Sequence, residues 1–183
     1  MEIVDTNIPG LKILSSKIFK DDRGKFIKIF TKNPFAENGL EINIKEIYYS
    51  ISHKNVIRGM HFQIPPFDHI KLVHVLAGRI VDVVLDIRKN SPTYGKFFSC
   101  ELSSNDAKVI IIPKGLAHGF KSMEDNTVVI YMQTSCYSPD HDYGIRYDSF
   151  GFDWECDNPI ISDRDLKFPK FNEFITQFEF GEY

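Results

Sequence analysis

Short runs of β-branched and aromatic residues recur along the chain at intervals of about ten residues, with turn-forming residues between them. The clearest runs are Ile13–Phe19, Lys25–Thr31, Ile42–Ser52, Leu72–Leu76, Ile80–Ile87, Phe97–Leu102, Val109–Ile112 and Val128–Gln133. A turn is predicted at Ala77-Gly78, between the fourth and fifth of these runs. Many short strands separated by turns are typical of an antiparallel β-sandwich or barrel. Only two segments depart from this pattern: Asn33–Asn38 is predicted to be a short helix or turn, and Phe171–Phe178 a C-terminal helix.

The length of 183 residues suits one ordinary domain that buries its own core. No internal repeat, linker or low-complexity segment divides the chain, so residues 1–183 are predicted to form a single domain. Within it, residues 1–45 are expected to supply edge strands at a subunit interface. Residues 150–183 are expected to form a C-terminal extension.

Charge and cysteine content exclude several classes of protein. The net charge of −3, without a basic arm, gives no reason to expect a nucleic-acid partner. The three cysteines are widely spaced and form no CxxC pair, which argues against a zinc knuckle or a disulfide framework.

No apolar run approaches the ~18 residues of a membrane span, and no signal-peptide pattern is present, so no membrane partner and a cytoplasmic location are expected.

The residues most capable of chemistry are concentrated in a few segments. They are Arg58–Gln63, Lys71–Val73, Pro113–Phe120, Tyr131 and Asp163–Asp165. If their polar side chains project from strands into a barrel, they form a polar pocket in an apolar wall, as small-molecule sites usually do. Taken singly, a histidine, lysine or tyrosine in a strand is more often structural. Apart from His61 and His118, which lie in these segments, the histidines are interpreted as structural or solvated; they are His53, His69, His74 and His141.

Two segments resemble cupin motifs: Val75–Ile80 the end of the first, and Pro113–His118 the second, P-x-G-x-x-H. In metal-binding cupins a glutamate ligand stands seven positions before the glycine, and that position holds Lys71 here. The two histidine positions fall within Ile64–Phe67, which contains no ligand. His118 beside an ammonium group is a poor divalent site. The resemblance therefore implies an all-β cupin (jelly-roll) barrel with a few short peripheral helices and no metal or other cofactor.

A wider set of motifs, extending from Phe19 to Pro169, resembles the dTDP-4-dehydrorhamnose 3,5-epimerase family. The motifs are Asp22-Arg23-Gly24, Arg58–Gln63, Lys71–Val73, Asp82–Arg88, Ser91–Gly95, Ile112–Phe120, Tyr131, Tyr137–Pro139 and Gly144–Asp148. The resemblance implies an isomerase that inverts C3, C5 or both in a nucleotide-linked 4-keto sugar. It also implies a role in bacterial surface polysaccharides such as capsule or lipopolysaccharide, and a homodimer whose N-terminal strands cross to the partner subunit.

The resemblance assigns roles that suit enolate chemistry. His61 would be the base, oriented by Asp165, with Asp163 as the alternative partner. Tyr131 would return a proton to the opposite face of the sugar, and Lys71 would stabilise the enolate oxygen. Substrate-binding positions are assigned to Arg23, Phe26, Glu46, Tyr48, Arg58, Gln63 and His118. The two arginines suit a diphosphate, and His118 is either a substrate ligand or a packed pocket histidine.

The chain departs from the family mainly at binding positions. Where the family pattern is roughly Q-D-N-H-S, this chain has Glu46-Ile47-Tyr48-Tyr49-Ser50. The nucleotide therefore stays open between dTDP and GDP, and the sugar between hexose and heptose. Two other functions are considered, a 3,4-ketoisomerase and a non-catalytic cupin that binds sugar nucleotides. The C-terminal Asp165 argues against the first, and the presence of both an acid and a base argues against the second.

Overall fold

The computed structural model describes residues 2–37 and 39–181. Its strands are β1 Glu2–Asp5, β2 Lys12–Ser15, β3 Ile18–Asp21, β4 Gly24–Ile27, β5 Glu46–Ser52, β6 Ile57–Gln63, β7 Lys71–Ala77, β8 Arg79–Asp86, β9 Phe97–Ser103, β10 Lys108–Ile112, β11 Leu116–Ser122, β12 Thr127–Gln133 and β13 Asp142–Gly144. Its helices are α1 Lys32–Glu37 and α2 Asp163–Leu166. The all-β prediction is confirmed.

The strands form two main antiparallel sheets. The six-stranded sheet has the order β1-β2-β10-β7-β12-β5, and the five-stranded sheet has the order β13-β6-β11-β8-β9. One buried cluster joins inward-facing residues of both sheets, including Val73 and Val129 from the first and Ile80, Val84 and Phe120 from the second. From β5 onward most successive strands alternate between the sheets, so residues distant in sequence meet in the space between them.

A glycine makes one of these crossings possible. Between β7 and β8 the chain passes from one sheet to the other at Gly78, whose φ of +78° favours glycine. A Cβ at this position would lie 2.5 Å from the Thr127 hydroxyl oxygen. The turn predicted at Ala77-Gly78 therefore requires a residue without a side chain for two independent reasons.

The C-terminal residues cover the outer face of the five-stranded sheet. Ile145, Phe150, Trp154 and Phe178 pack there in one buried cluster with residues such as Val83. Successive side chains of β8 point to opposite faces of the sheet. Both faces are covered, so β8 is an almost continuous apolar run. The extension thereby stabilises the sheet that carries His61.

The prediction of a helix over Phe171–Phe178 is wrong. The chain makes only a 3₁₀ turn at Phe171–Glu173 before the segment continues without a helix. Phe174 and Phe178 both pack edge-on against Phe62, whereas Phe171 contacts Tyr94. A short isolated helix is only marginally stable. Tertiary contacts of the phenylalanine side chains therefore determine the backbone conformation of this segment, which is not helical after Glu173.

Other boundaries also differ from the sequence prediction. The run Ile13–Phe19 is divided between β2 and β3, and the predicted short helix is α1, although Asn38 lies outside the described residues. Strands β6 and β11 had no clear apolar signal, because both contain glycine and polar residues that face the interior. Within the described ranges, no helix has the length and apolar character that crossing a membrane requires.

Candidate active site

A cavity of about 350 Å³ receives polar side chains from both main sheets. It is lined by Glu46, Tyr48, Ser50, Arg58, His61, Phe62, Gln63, His69, Lys71, His118, Phe120, Tyr131, Gln133, Tyr137, Asp142 and Arg164. Alternation along the strands explains this convergence, because residues two apart share a face. Thus Glu46 and Tyr48 on β5 lie directly opposite Gln133 and Tyr131 on β12.

His61 and Asp165 form a hydrogen-bonded pair at one wall of the cavity. Nε2 of His61 lies 2.9 Å from Oδ1 of Asp165, and Oδ2 of the same carboxylate accepts a hydrogen bond from the Gly59 N–H at 3.2 Å. Ser162 caps α2 by accepting from the Asp165 N–H, which fixes the position of that residue. Asp163, the alternative partner, is exposed on the same short helix.

The electrostatics of the pair suit an ionised carboxylate. Burial by itself would raise the pKa of Asp165, but hydrogen bonds from His61, Gly59 and Ser162 hold that pKa below its ordinary value. A carboxylate that stays charged beside an imidazole orients the ring and stabilises the imidazolium form. The arrangement can therefore accept a proton at His61.

Lys71 projects into the cavity from β7 and is only 7% exposed. Burial lowers the pKa of its ammonium group to about 8, against the opposing influence of the Asp142 and Asp82 carboxylates. A lysine between apolar neighbours would normally point to solvent. Here its strand lies inside the six-stranded sheet, and its side chain shares the inner face with Val73 and Val75. The group can offer positive charge to an oxygen anion in the cavity.

Tyr131 lies on β12 with its hydroxyl 3.1 Å from the Oγ of Ser50. Its ring stacks on Tyr48, with centroids 4.7 Å apart and planes 18° from parallel. Burial raises the pKa of Tyr131 well above its ordinary value, so the phenol holds its proton at neutral pH. Since β12 and β6 belong to different sheets, Tyr131 and His61 reach the cavity from opposite walls.

His118 forms a second histidine–aspartate pair. Its Nε2 lies 2.7 Å from Oδ2 of Asp82, and both residues are almost fully buried between β11 and β8. Burial lowers the pKa of His118, although the Asp82 carboxylate opposes that effect. The ring therefore borders the cavity and is also packed in its wall.

Three of the predicted binding residues are held by hydrogen bonds to backbone groups and to one hydroxyl group. Arg58 donates to the Ser52 hydroxyl at 3.1 Å and to the Ile51 carbonyl at 3.3 Å. The Gln63 amide donates to the Phe67 and Cys136 carbonyls and accepts from the Ser138 N–H. Glu46 accepts from the Tyr137 N–H at 2.5 Å. These contacts orient three of the side chains that line the cavity.

Arg23 and Phe26 are not in this cavity. They lie on the β3–β4 hairpin, a separate two-stranded sheet, where Arg23 pairs with Asp21 at 2.6 Å. Phe19 and Phe26 are 53% and 61% exposed on the same hairpin. The structure of one chain therefore does not bring these residues together with His61.

Several cavity residues were missed by sequence reasoning. Gln133 stands two residues after Tyr131, so strand alternation would have placed it on the same face. His69 stands two residues before Lys71, so it could share that residue's face, but it was interpreted as structural or solvated; burial lowers its pKa to about 3, which keeps the ring neutral. Asp142 and Arg164 form an ion pair of 2.7 Å at the cavity, and no local sequence signal could have found them.

The donor atoms around His118 do not fit a metal ion. Lys71 occupies the position at which metal-binding cupins carry a glutamate ligand, and an ammonium group cannot serve as a ligand. Across the described part of the chain, no three His, Cys, Asp or Glu side chains are grouped as a metal site would require.

Comparisons with known proteins point to one family. The family model described as dTDP-4-dehydrorhamnose 3,5-epimerase matches residues 5–173. The dTDP-4-dehydrorhamnose 3,5-epimerase of Shigella flexneri is 36% identical over 174 residues, covering 93% of this chain and 96% of that protein.

Two solved structures show the same fold. The dTDP-4-dehydrorhamnose 3,5-epimerase of Sulfolobus tokodaii has a TM-score of 0.90 and 37% identity, covering 97% of this chain and 98% of that one. The dTDP-6-deoxy-D-glucose-3,5-epimerase of Legionella pneumophila, in complex with dTDP-4-keto-L-rhamnose, has a TM-score of 0.90 and 34% identity, covering 95% and 94%. The resemblance inferred from the sequence motifs is confirmed, and the chain belongs to the dTDP-4-dehydrorhamnose 3,5-epimerase family, a family of isomerases.

Proposed function

We propose that this enzyme inverts C3, C5 or both in a nucleotide-diphosphate-linked 4-keto sugar without using a metal ion. One observation carries the proposal: His61, paired with Asp165, and the protonated Tyr131 border one cavity from opposite sheets. Inversion at carbon needs a base on one face of the sugar and a proton donor on the other. The two walls of the cavity provide that arrangement.

The reaction follows from the acidity of a carbon beside a ketone. His61 removes the proton, and the electron pair of the C–H bond moves to the ketone oxygen as an enolate. Lys71 stabilises the negative oxygen, and Tyr131 then protonates the carbon from the opposite face. General acid–base catalysis of this kind contributes about 10²–10⁴-fold, and one contact to a developing oxyanion about 10²–10³-fold.

We place dTDP first as the nucleotide because the relatives are named for dTDP-linked sugars and the Legionella structure contains one. The substrate would then be a dTDP-4-keto-6-deoxyhexose, in the synthesis of rhamnose for surface polysaccharides. The carboxylate of Glu46 keeps GDP as the competing choice, since it could accept hydrogen bonds from guanine. Its contact with the Tyr137 N–H leaves one oxygen for that purpose.

We also propose that the protein acts in the cytoplasm as a homodimer, with residues 1–183 as one domain. Arg23 and Phe26 lie outside their own chain's cavity, on a hairpin with two exposed phenylalanines. A hairpin that crosses to the partner subunit would bury these rings and complete the partner's site. The free thiols of Cys100, Cys136 and Cys156 are compatible with a reducing compartment.

The test is hydrogen exchange. The enzyme is incubated in D₂O with dTDP- and GDP-linked 4-keto-6-deoxy sugars, and deuterium is located by NMR and mass spectrometry. Uptake at C3 or C5 with one nucleotide supports the proposal and identifies the base. Migration of the keto group would indicate a 3,4-ketoisomerase instead, and binding without exchange would indicate a non-catalytic cupin.

A further inference from the structure

Tyr48 makes two specific contacts on the wall of the cavity that carries the proton donor. Its ring stacks on Tyr131, which lies directly opposite it on β12. Its hydroxyl accepts a hydrogen bond of 2.6 Å from Nε2 of Gln133. The side chain is therefore fixed at both its ring and its hydroxyl, although 38% of the residue is exposed.

Two specific side-chain contacts on Tyr131 come from one strand, β5. Tyr48 contacts the face of its ring, and Ser50, two residues further along β5, contacts its hydroxyl at 3.1 Å. Strand alternation places both on the inner face of β5. Strand β5 lies at the edge of the six-stranded sheet, with β12 as its neighbour. The inner face of β5 therefore holds the phenol of Tyr131, which must deliver a proton.

We propose that Tyr48 is a positioning residue that holds the Tyr131 hydroxyl in line with the substrate carbon, so that each proton abstraction ends in inversion. The inference rests on the proposed function. It adds a residue that acts through Tyr131, and it assigns Gln133 the role of orienting Tyr48. An aromatic stack of this kind stabilises the pair beyond the area that it buries.

A displaced Tyr131 has a distinctive chemical consequence. After His61 breaks the C–H bond, the resulting imidazolium exchanges its proton with solvent and carries deuterium in D₂O. If Tyr131 cannot reach the enolate, the imidazolium returns the deuteron to the carbon from the face it came from. The electron pair returns from the enolate oxygen to form C–D, and the configuration is retained. Positioning is thus measured by the ratio of exchange to inversion.

The experiment compares deuterium in recovered substrate with epimer formed, for the wild type, Tyr48→Leu and Tyr48→Phe. Because a misplacement of about 1 Å can cost 10²-fold in rate, Tyr48→Leu should raise the exchange-to-inversion ratio by about tenfold or more. Tyr48→Phe keeps the ring and loses only the bond to Gln133, so its ratio should rise about threefold. Tyr131→Phe is the reference for complete loss of the donor.

The control is Tyr49→Phe, the neighbouring residue on the opposite face of β5, which is 65% exposed. Its ratio should equal that of the wild type. If Tyr48→Leu lowers exchange and inversion by the same factor, Tyr48 is merely structural and the inference is wrong. If the wild type shows no exchange with any 4-keto sugar nucleotide, the proposed function fails and this inference with it. Since Tyr48→Phe preserves the stacked ring, poor folding of the leucine variant does not prevent a decision.

Discussion

The imidazole of His61 and the carboxylate of Asp165 lie 2.9 Å apart although 104 positions separate them along the chain. Strand β6 supplies the first and the short helix α2 the second. The C-terminal extension, which covers the outer face of the five-stranded sheet, thus also orients the candidate base.

Replacing Asp165 by asparagine should lower kcat by about 10²–10⁴-fold, because the carboxylate that orients His61, and that would stabilise the imidazolium formed during proton abstraction, is lost. The rate of deuterium exchange measures the effect directly. Asp163→Asn is the matched control, because Asp163 is exposed on the same helix and should leave the rate unchanged. Equal loss in both variants would show that the helix, rather than the His61 pair, matters.

Replacing Lys71 by methionine should separate activity from stability. Loss of the cation facing the enolate should lower kcat/KM by about 10²–10³-fold. The free energy of unfolding should rise or stay unchanged, because the lowered pKa of Lys71 shows that burying its ammonium group costs more than its attraction to Asp142 and Asp82 contributes. Kinetics and urea denaturation of the same preparation test both results, and a strongly destabilised variant would contradict the second.

The same lysine predicts a pH dependence. Its pKa of about 8 in the folded chain, below its ordinary value because of burial, means that the ammonium form is lost above pH 8. Activity should therefore fall as pH rises through 8.

Between pH 8 and the ordinary lysine pKa, the unfolded chain binds more protons than the folded one, so this group's contribution to stability increases with pH. In Lys71→Met, this stability increase should be absent from a pH series of denaturation curves.

Gly78→Ala should destabilise the fold more than an alanine at another glycine with similar φ. Gly151 has a φ of +85° and open space where an alanine methyl group would lie, so Gly151→Ala should cost about 1–2 kcal/mol. Gly78→Ala adds an overlap with Thr127, and overpacking typically costs a further ~1–3 kcal/mol. Chemical denaturation of the two variants gives the difference, and equal losses would show that Thr127 moves aside freely.

The proposed exchange of hairpins between subunits can be tested by complementation. Arg23→Ala and His61→Asn should each be inactive or nearly so as homodimers. Mixing them after subunit exchange should restore about one quarter of the wild-type activity, because half of the dimers are mixed and each holds one complete site. No recovery, with mixed dimers demonstrated by mass spectrometry, would place Arg23 in the site of its own chain.

Local sequence patterns predicted the strands with the strongest β-branched runs and the turn at Gly78. Motif spacing identified the family and put Lys71 where a metal ligand would stand in other cupins. The prediction of a helix over Phe171–Phe178 was wrong because Phe174 and Phe178 form tertiary contacts with Phe62, which is distant in the sequence. Residue type and spacing report only local preferences.

By itself the sequence determined the fold class and the family, and it supplied the candidates for acid–base chemistry. Only the tertiary structure decided that Asp165 rather than Asp163 meets His61, that Tyr48 stacks on Tyr131, and that the hairpin of Arg23 lies apart from the cavity. The physical reason is that strand register and the packing of two sheets bring together residues that are far apart in the chain. Such pairings depend on the energy of the whole core, which no short segment encodes.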